Sequence, residues 1–213
     1  MAHSVEDIPS TADLQRALLD ATAALHDHLC PRQVLGVRMG MEAARLLHLD
    51  LPQARSPKRL LTIVETDGCF ADGVSVATGC WLGHRTLRCV DLGKIAATFV
   101  DTHTGLAVRL CPAAEARALA SSYAPDVESR WHAYLEGYQA MPADILLRAD
   151  WVTLVVPVET LISSPDRRAV CDTCGEEIFN GREVVADGRT RCRACAGDPY
   201  GVPARTGGPS WPA

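Results

Sequence analysis

A chain of 213 residues, 47% hydrophobic and 22% charged, has room for one globular domain of ordinary size and a small appendage. Its net charge of −5 argues against a nucleic-acid binder, and no apolar run has the length of a membrane span. The stretch Met1–Asp7 lacks a positive region followed by an apolar one, so no secretory signal is expected and the cytoplasm is the expected compartment.

Residues 1–10 are polar and expected to fray. From Ala12 to about His26, Leu14, Ala17, Leu18, Ala21 and Leu25 recur at helical spacing. Then comes His26-Asp27-His28-Leu29-Cys30-Pro31, with two imidazoles and a thiol within five residues. If it is extended, His26, His28 and Cys30 point to one side; if helical, only His26 and Cys30 share a face. Pro31 suits the first position of a new helix, which places Cys30 at an N-terminus whose dipole favours a thiolate. That thiolate is a candidate nucleophile or soft metal ligand; the alternative is an apolar cysteine between two surface histidines.

The second helix is expected to run to about Leu49, with Gly36 and Gly40 four apart and able to admit a neighbouring helix. Residues 51–57 read as a loop. Leu60–Glu65 is a β-branched run, a buried strand that ends in Thr66-Asp67-Gly68-Cys69. Residues 70–79 have the length of a short helix, weakened by glycine. Thr86–Asp91 reads as a strand, and Ala96–Val100 with Leu106–Leu110 as a hairpin. Pro112 is expected to start a helix, and Val127, Trp131, Tyr134, Leu135 and Tyr138 mark another. Residues 142–148 read as one more turn, and Trp151–Val156 as a strand. A polar linker at 163–168 closes the first domain. Helices and strands mix without regular alternation, so the fold class is α+β.

Nine cysteines are many for such a chain, and an odd count favours metal or thiol chemistry over a disulfide framework. Cys171-x2-Cys174, seventeen residues, then Cys192-x2-Cys195 supplies four thiolates for a tetrahedral zinc. With four protein ligands the site is structural and closed. A segment of this size cannot fold on its own core, so the metal provides the missing free energy. Asn180-Gly181 is expected to turn a hairpin. Arginines and carboxylates are mixed here, so the module is read as a stabilising or protein-contact unit rather than a nucleic-acid binder. The expected organisation is a mixed helix/strand core domain over 1–160, an appended treble-clef-like zinc finger over 169–197 and a disordered tail over 198–213.

Among the other cysteines, Cys69 follows a strand and Cys80 follows Thr78-Gly79, each beside a glycine where a regular element ends. Cys30 and Cys69 both precede helices, which makes both candidates for a lowered pKa. Cys89 and Cys111 lie in strands and read as core. Asp67 is a candidate to orient an imidazole or to cap the next helix; His84 is a further, adjacent candidate. Lys94 stands out because nineteen of the 21 basic residues are arginine.

Four motifs, His26-Asp27-His28-Leu29-Cys30-Pro31, Glu65-Thr66-Asp67-Gly68-Cys69, Thr78-Gly79-Cys80 and Asp91-Leu92-Gly93-Lys94, resemble in order and spacing those of the FmdE family, named for formylmethanofuran dehydrogenase, over about residues 15–158. Some members also carry a C-terminal zinc finger. The resemblance implies an α+β core, an intertwined homodimer and a metal or active site at the matched His and Cys positions. On that basis His28, Cys30, Cys69 and Cys80 are the candidate ligands of a second transition metal, zinc, nickel or iron. Cys30, Cys69 and Lys94 are the candidate catalytic residues. Arg32 replaces the glycine usual after the proline, and Gly83-His84-Arg85-Thr86 departs from the usual G-K-G-N.

Three functions compete. The first is a metal-handling or accessory partner of a molybdenum or tungsten enzyme, with the finger contacting a protein partner. The second is an enzyme with a thiol- or metal-dependent reaction at His28, Cys30 and Cys69. The third is a metal- or redox-responsive regulator.

Overall fold

The computed structural model describes residues 10–50, 52, 58–162, 164 and 166–201, so the expected frayed N-terminus, most of the 51–57 loop and the tail beyond 201 lie outside the described residues. Two compact units divide the chain at 158/159.

The first unit is built on a five-stranded sheet in the order β2-β1-β3-β4-β5. Its strands are β1 (Leu60–Val64), β2 (Leu87–Cys89), β3 (Ala97–Asp101), β4 (Ala107–Pro112) and β5 (Leu147–Trp151). β1 and β2 are parallel and joined through helix α3 (Cys69–Thr78); every other pair is antiparallel. β3 is buried at all five positions, with Ala97, Phe99 and Val100 fully enclosed, as expected of a central strand.

Two further helices precede the sheet, α1 (Thr11–Ala23) and α2 (Pro31–Leu47). α2 is the hub. Every residue from Gln33 to Gly40 is buried, because α1, α3, the sheet and α5 (Arg130–Ala140) all pack on it. Its glycines make this feasible. A Cβ on Gly36 would strike the Phe70 carbonyl, and one on Gly40 would lie 2.6 Å from Ala77 Cβ. Gly73 of α3 answers with the same closeness to the Gln33 backbone. The two helices therefore cross almost backbone to backbone, with Phe70, Val74 and Ala77 fully buried along one face of α3. Burying a side chain such as Phe70 or Val74 stabilises by about 2 kcal/mol each.

α2 also fixes α5. Arg38 is buried, and its guanidinium donates to the carbonyls of Tyr138, Gln139 and Met141 at 2.7–2.9 Å. These are carbonyls at the open C-terminal end of α5, which lack partners within the helix. Burial lowers the Arg38 pKa.

Two element assignments differ from the sequence reading. Pro112 ends β4 rather than starting a helix; a strand end tolerates the missing N–H as well as a first helical turn does. The helix that follows is the short α4 (Ala116–Leu119). The last strand is Leu147–Trp151, not 151–156, and the 142–148 turn is the shorter α6 (Ala143–Leu146). β5 is an edge strand, so its sequence Leu-Arg-Ala-Asp-Trp is mixed, and the apolar run after it is outside the sheet with Val155 99% exposed.

The second unit holds two hairpins, β6 (Arg168–Val170) with β7 (Glu177–Phe179) and β8 (Val184–Ala186) with β9 (Arg189–Arg191). Asn180 and Gly181 both take positive φ, but they join β7 to β8, which do not pair. The β8–β9 hairpin is turned instead by Asp187-Gly188, again both at positive φ.

Candidate metal centres

The glycine-mediated crossing brings the N-termini of α2 and α3 side by side. Cys30 is the N-cap of α2 and Cys69 is the first residue of α3, and their thiols line one cleft, close enough for the first to influence the ionisation of the second. Gln33 secures the first of them. It is fully buried, its Oε1 accepts the Cys30 N–H at 2.7 Å, and its Nε2 donates to the Thr22 carbonyl of α1 at 3.1 Å. Phe70, fully buried, anchors the second.

Both thiols are half-buried. The Cys69 pKa is raised, first by burial and then by the neighbouring Cys30 thiol. This corrects the lowered value expected from the helix N-terminus alone: desolvation and a second thiol outweigh the dipole.

The His26–Cys30 segment is neither strand nor helix. Asp27 takes φ 59°, and the segment turns. His26 Nε2 lies 2.6 Å from Asp72 Oδ2 on the first turn of α3. His28 is exposed, its ring centroid 6.3 Å from that of His26 and edge-on to it. Asp67 does not cap α3, whose N-cap is Gly68; its charge acts on Cys89. The carboxylate that meets a histidine is Asp72, which sequence reasoning missed. Its one signal was an acidic residue in the first turn of the helix begun by Cys69.

Cys80 lies at the other end of α3, buried, with its thiol donating to the Leu60 carbonyl at 3.4 Å and its pKa raised by burial. His84 sits on the turn after it. Lys94 is exposed in the loop before β3, where its backbone N–H donates to the Glu65 carbonyl and its charge favours ionised Glu65. Glu65 forms a two-pronged ion pair with Arg109 at 2.6 and 2.8 Å, which holds its carboxyl below the usual range. Cys89 is exposed and Cys111 half-buried, so neither is the core residue expected; β2 is an edge strand and Cys111 sits near the end of β4.

Beside the thiol pair opens a cleft of about 640 Å³. Cys30 and Cys69 line it together with Arg32, Ile95, Arg117 and the aromatic face of α5. Arg38 is what holds that face against the start of α2, by tethering the far end of α5.

The second unit carries the other centre. The sulfurs of Cys171, Cys174, Cys192 and Cys195 all lie within 4.8 Å of one another, the only such group of three or more His, Cys, Asp or Glu donors among the described residues. Tetrahedral Zn–S bonds set sulfur–sulfur distances of about 3.8 Å, and Cys174 Sγ and Cys192 Sγ are 4.0 Å apart. The backbone is shaped for thiolates: Cys192 N–H donates to Cys171 Sγ at 3.3 Å and Cys195 N–H to Cys192 Sγ at 3.4 Å. Donation from the Cys174 and Cys192 N–H groups pulls the Cys171 thiol down to about 6. The Cys195 thiol is pushed up to about 12, first through its hydrogen bond with Cys192. The four cysteines fit a structural zinc, and zinc would supply the cross-link that holds the two hairpins together. Arg168 pairs with Glu177 and Arg167 with Glu183, in line with the mixed charge of the module.

The sequence model described as "FmdE, Molybdenum formylmethanofuran dehydrogenase operon" matches residues 25–148. The chain belongs to the FmdE family. A prokaryotic dksA/traR C4-type zinc finger model matches residues 166–201, around the four cysteines. A crystal structure of a tungsten formylmethanofuran dehydrogenase FmdE-like protein from Syntrophus aciditrophicus shares the fold, with a TM-score of 0.55 at 21% identity over 88% of this chain and 95% of that one. A curated relative from Archaeoglobus fulgidus, described as a probable S-adenosyl-L-methionine-binding protein, is 34% identical over 216 residues and 94% of this chain. The chain spans 58% of that relative's length. The FmdE match contains Cys30, Cys69, Cys80 and the cleft-lining aromatics, so the thiol pair and its cleft belong to the family unit and the zinc finger is a separate module. Among the described residues no helix is long and apolar enough to cross a membrane.

Proposed function

We propose that this FmdE-family chain is a metal-handling or accessory partner of a molybdenum or tungsten enzyme in the cytoplasm. It binds a transition metal at the Cys30–Cys69 pair and uses its zinc finger for protein contact. The observation that carries the reading is the meeting of two thiols, 39 positions apart in sequence, at the N-termini of two helices pressed together through glycines. Soft thiolates suit zinc, nickel or iron, and His28, exposed two residues before Cys30, is the third donor. Cys80, at the far end of α3, packs the core instead. The family description, which names a molybdenum enzyme operon, supports the choice of partner. A second copy of the chain completes the unit. The exposed Trp151 at the end of edge strand β5, with Leu106 and with Val155 and Val156 in the run after the strand, makes an apolar margin that supports pairing. Light scattering giving a monomer mass at micromolar concentration would remove the dimer.

A second reading has a specific observation behind it. The cleft beside the thiols is of small-molecule size, and the name of the Archaeoglobus fulgidus relative attributes a small-molecule ligand to that protein. On this reading Cys30, Cys69 and Lys94 serve a thiol- or metal-dependent reaction, and a bound metal would supply a Lewis acid with open positions.

Cobalt(II) titration tests the metal reading. In the Cys171→Ser/Cys174→Ser protein, which lacks the finger site, a thiolate-to-cobalt charge-transfer band should persist. It should vanish when Cys30→Ser and Cys69→Ser are added. No band in the finger variant sinks the core site.

A further inference from the structure

The cleft beside the thiol pair carries more chemistry than a metal requires. Arg32, second residue of α2, is exposed and has no carboxylate partner among the described residues. Arg117 has none either. Its Nε donates to Tyr134 Oη at 3.2 Å and its guanidinium lies 5.1 Å from the centre of the Tyr134 ring, so an uncharged ring holds it in place with its charge unneutralised. Two guanidiniums therefore line one cleft with no anion of the chain between them, near the N-terminus of a 17-residue helix.

The aromatic wall is open as well. Tyr138 is 7% exposed and stacked on Tyr134 at 5.8 Å and 9°. Its hydroxyl has no protein hydrogen-bond partner among the described residues, which leaves it for water or a ligand. Trp131, on the first turn of α5, is 44% exposed and stands edge-on to His132. A half-open indole therefore stands beside two cations that have no carboxylate partner, which is the lining of a binding wall.

We infer that this cleft binds a small molecule that joins a flat aromatic ring to an oxyanion, of the size and chemistry of a nucleoside monophosphate. The oxyanion meets Arg32 and Arg117, whose planar donor forks suit phosphate. The ring stacks on Trp131, and the Tyr138 hydroxyl is the remaining polar contact. The volume of about 640 Å³ admits such a ligand. The inference does not depend on a metal at Cys30 and Cys69, since every contact it names lies on other residues.

Calorimetric titration of the full chain with adenosine 5′-monophosphate, adenosine and ribose 5-phosphate separates the two halves of the ligand. The monophosphate should bind at least about tenfold more tightly than either fragment, because a charge-assisted contact and a stacked ring each contribute that much. Arg32→Gln and Arg117→Gln should each weaken the monophosphate by roughly tenfold and leave adenosine unchanged. Trp131→Ala should weaken the monophosphate and adenosine alike and leave ribose 5-phosphate unchanged. The titrations are run without added metal and the cobalt band of the Cys30–Cys69 pair is read separately, so a failed metal site and a failed ligand site give different results. A monophosphate that binds no better than adenosine, an affinity indifferent to both arginine variants, or no binding to any of the three overturns the inference.

Discussion

The two cysteine sites of this chain are built in opposite ways. The finger gathers four sulfurs from two short Cys-x2-Cys turns and aims backbone N–H groups at them, so its donor set is complete and its geometry is local. The core gathers two sulfurs from the ends of two helices far apart in sequence, and what joins them is the packing of Gly36 and Gly40 against Gly73 and its neighbours. The finger's backbone pulls one thiol down to about 6; the core's burial raises Cys69 instead. A closed set of four thiolates serves stability. A half-buried pair at the mouth of a cleft leaves room for a metal, a ligand or both.

The largest effect expected from breaking this contrast is at the finger. Cys171→Ser with Cys174→Ser removes half the ligands of a site whose metal is worth about 10 kcal/mol in free peptides. Amide exchange in β6–β9 should lose its protection while the helices and sheet of the first unit keep theirs. Protection retained in β6–β9 would mean that the hairpins fold without zinc.

Next in size is the crossing that builds the core pair. Gly73→Ala drives a methyl into the Gln33 backbone, and overpacking of this kind costs about 3 kcal/mol. The first unit should melt earlier, Cys69 should alkylate faster, and the finger's metal should be unaffected. An unchanged melting temperature would contradict the close approach of α2 and α3.

A smaller effect belongs to Glu65. Arg109 holds its carboxyl below the ordinary range, so the stability it contributes is complete above the unfolded value of about 4.3 and is lost as pH falls through the lower folded value. Glu65→Gln should cost about 2 kcal/mol near neutral pH and flatten the acid limb of a stability–pH curve. A variant that keeps the wild-type acid limb would show that the pair contributes nothing.

Lys94→Arg is the smallest. The side chain is exposed and its charge acts on Glu65, so the change should alter stability by less than about 0.5 kcal/mol and leave the alkylation rates of Cys30 and Cys69 alone. An altered rate would restore Lys94 to the thiol site.

What the sequence made legible follows the same contrast. The finger could be read from spacing, because its ligands sit on turns whose geometry is set within four residues. α2 could be read from Pro31 and its period, and the glycine pair at 36 and 40 pointed to a close neighbour without naming it. The neighbour is α3, a poor helix by propensity that packing stabilises. His26–Cys30 was misread as a choice between strand and helix because Asp27 turns the chain through positive φ, which no periodicity reports. β5 was displaced because an edge strand looks polar while the exposed run after it looks buried. Asp72 and Arg38 act only between segments distant in sequence, and the motifs that resemble FmdE pointed to Cys30 and Cys69 where local spacing could not.

The most direct test of the central claim is metal analysis of three purified proteins: wild type, the Cys171→Ser/Cys174→Ser variant, and the Cys30→Ser/Cys69→Ser variant. The account predicts that each variant loses one metal class and keeps the other, with wild type holding both. If wild type and the Cys30→Ser/Cys69→Ser protein hold equal metal, the core pair binds none and the account fails.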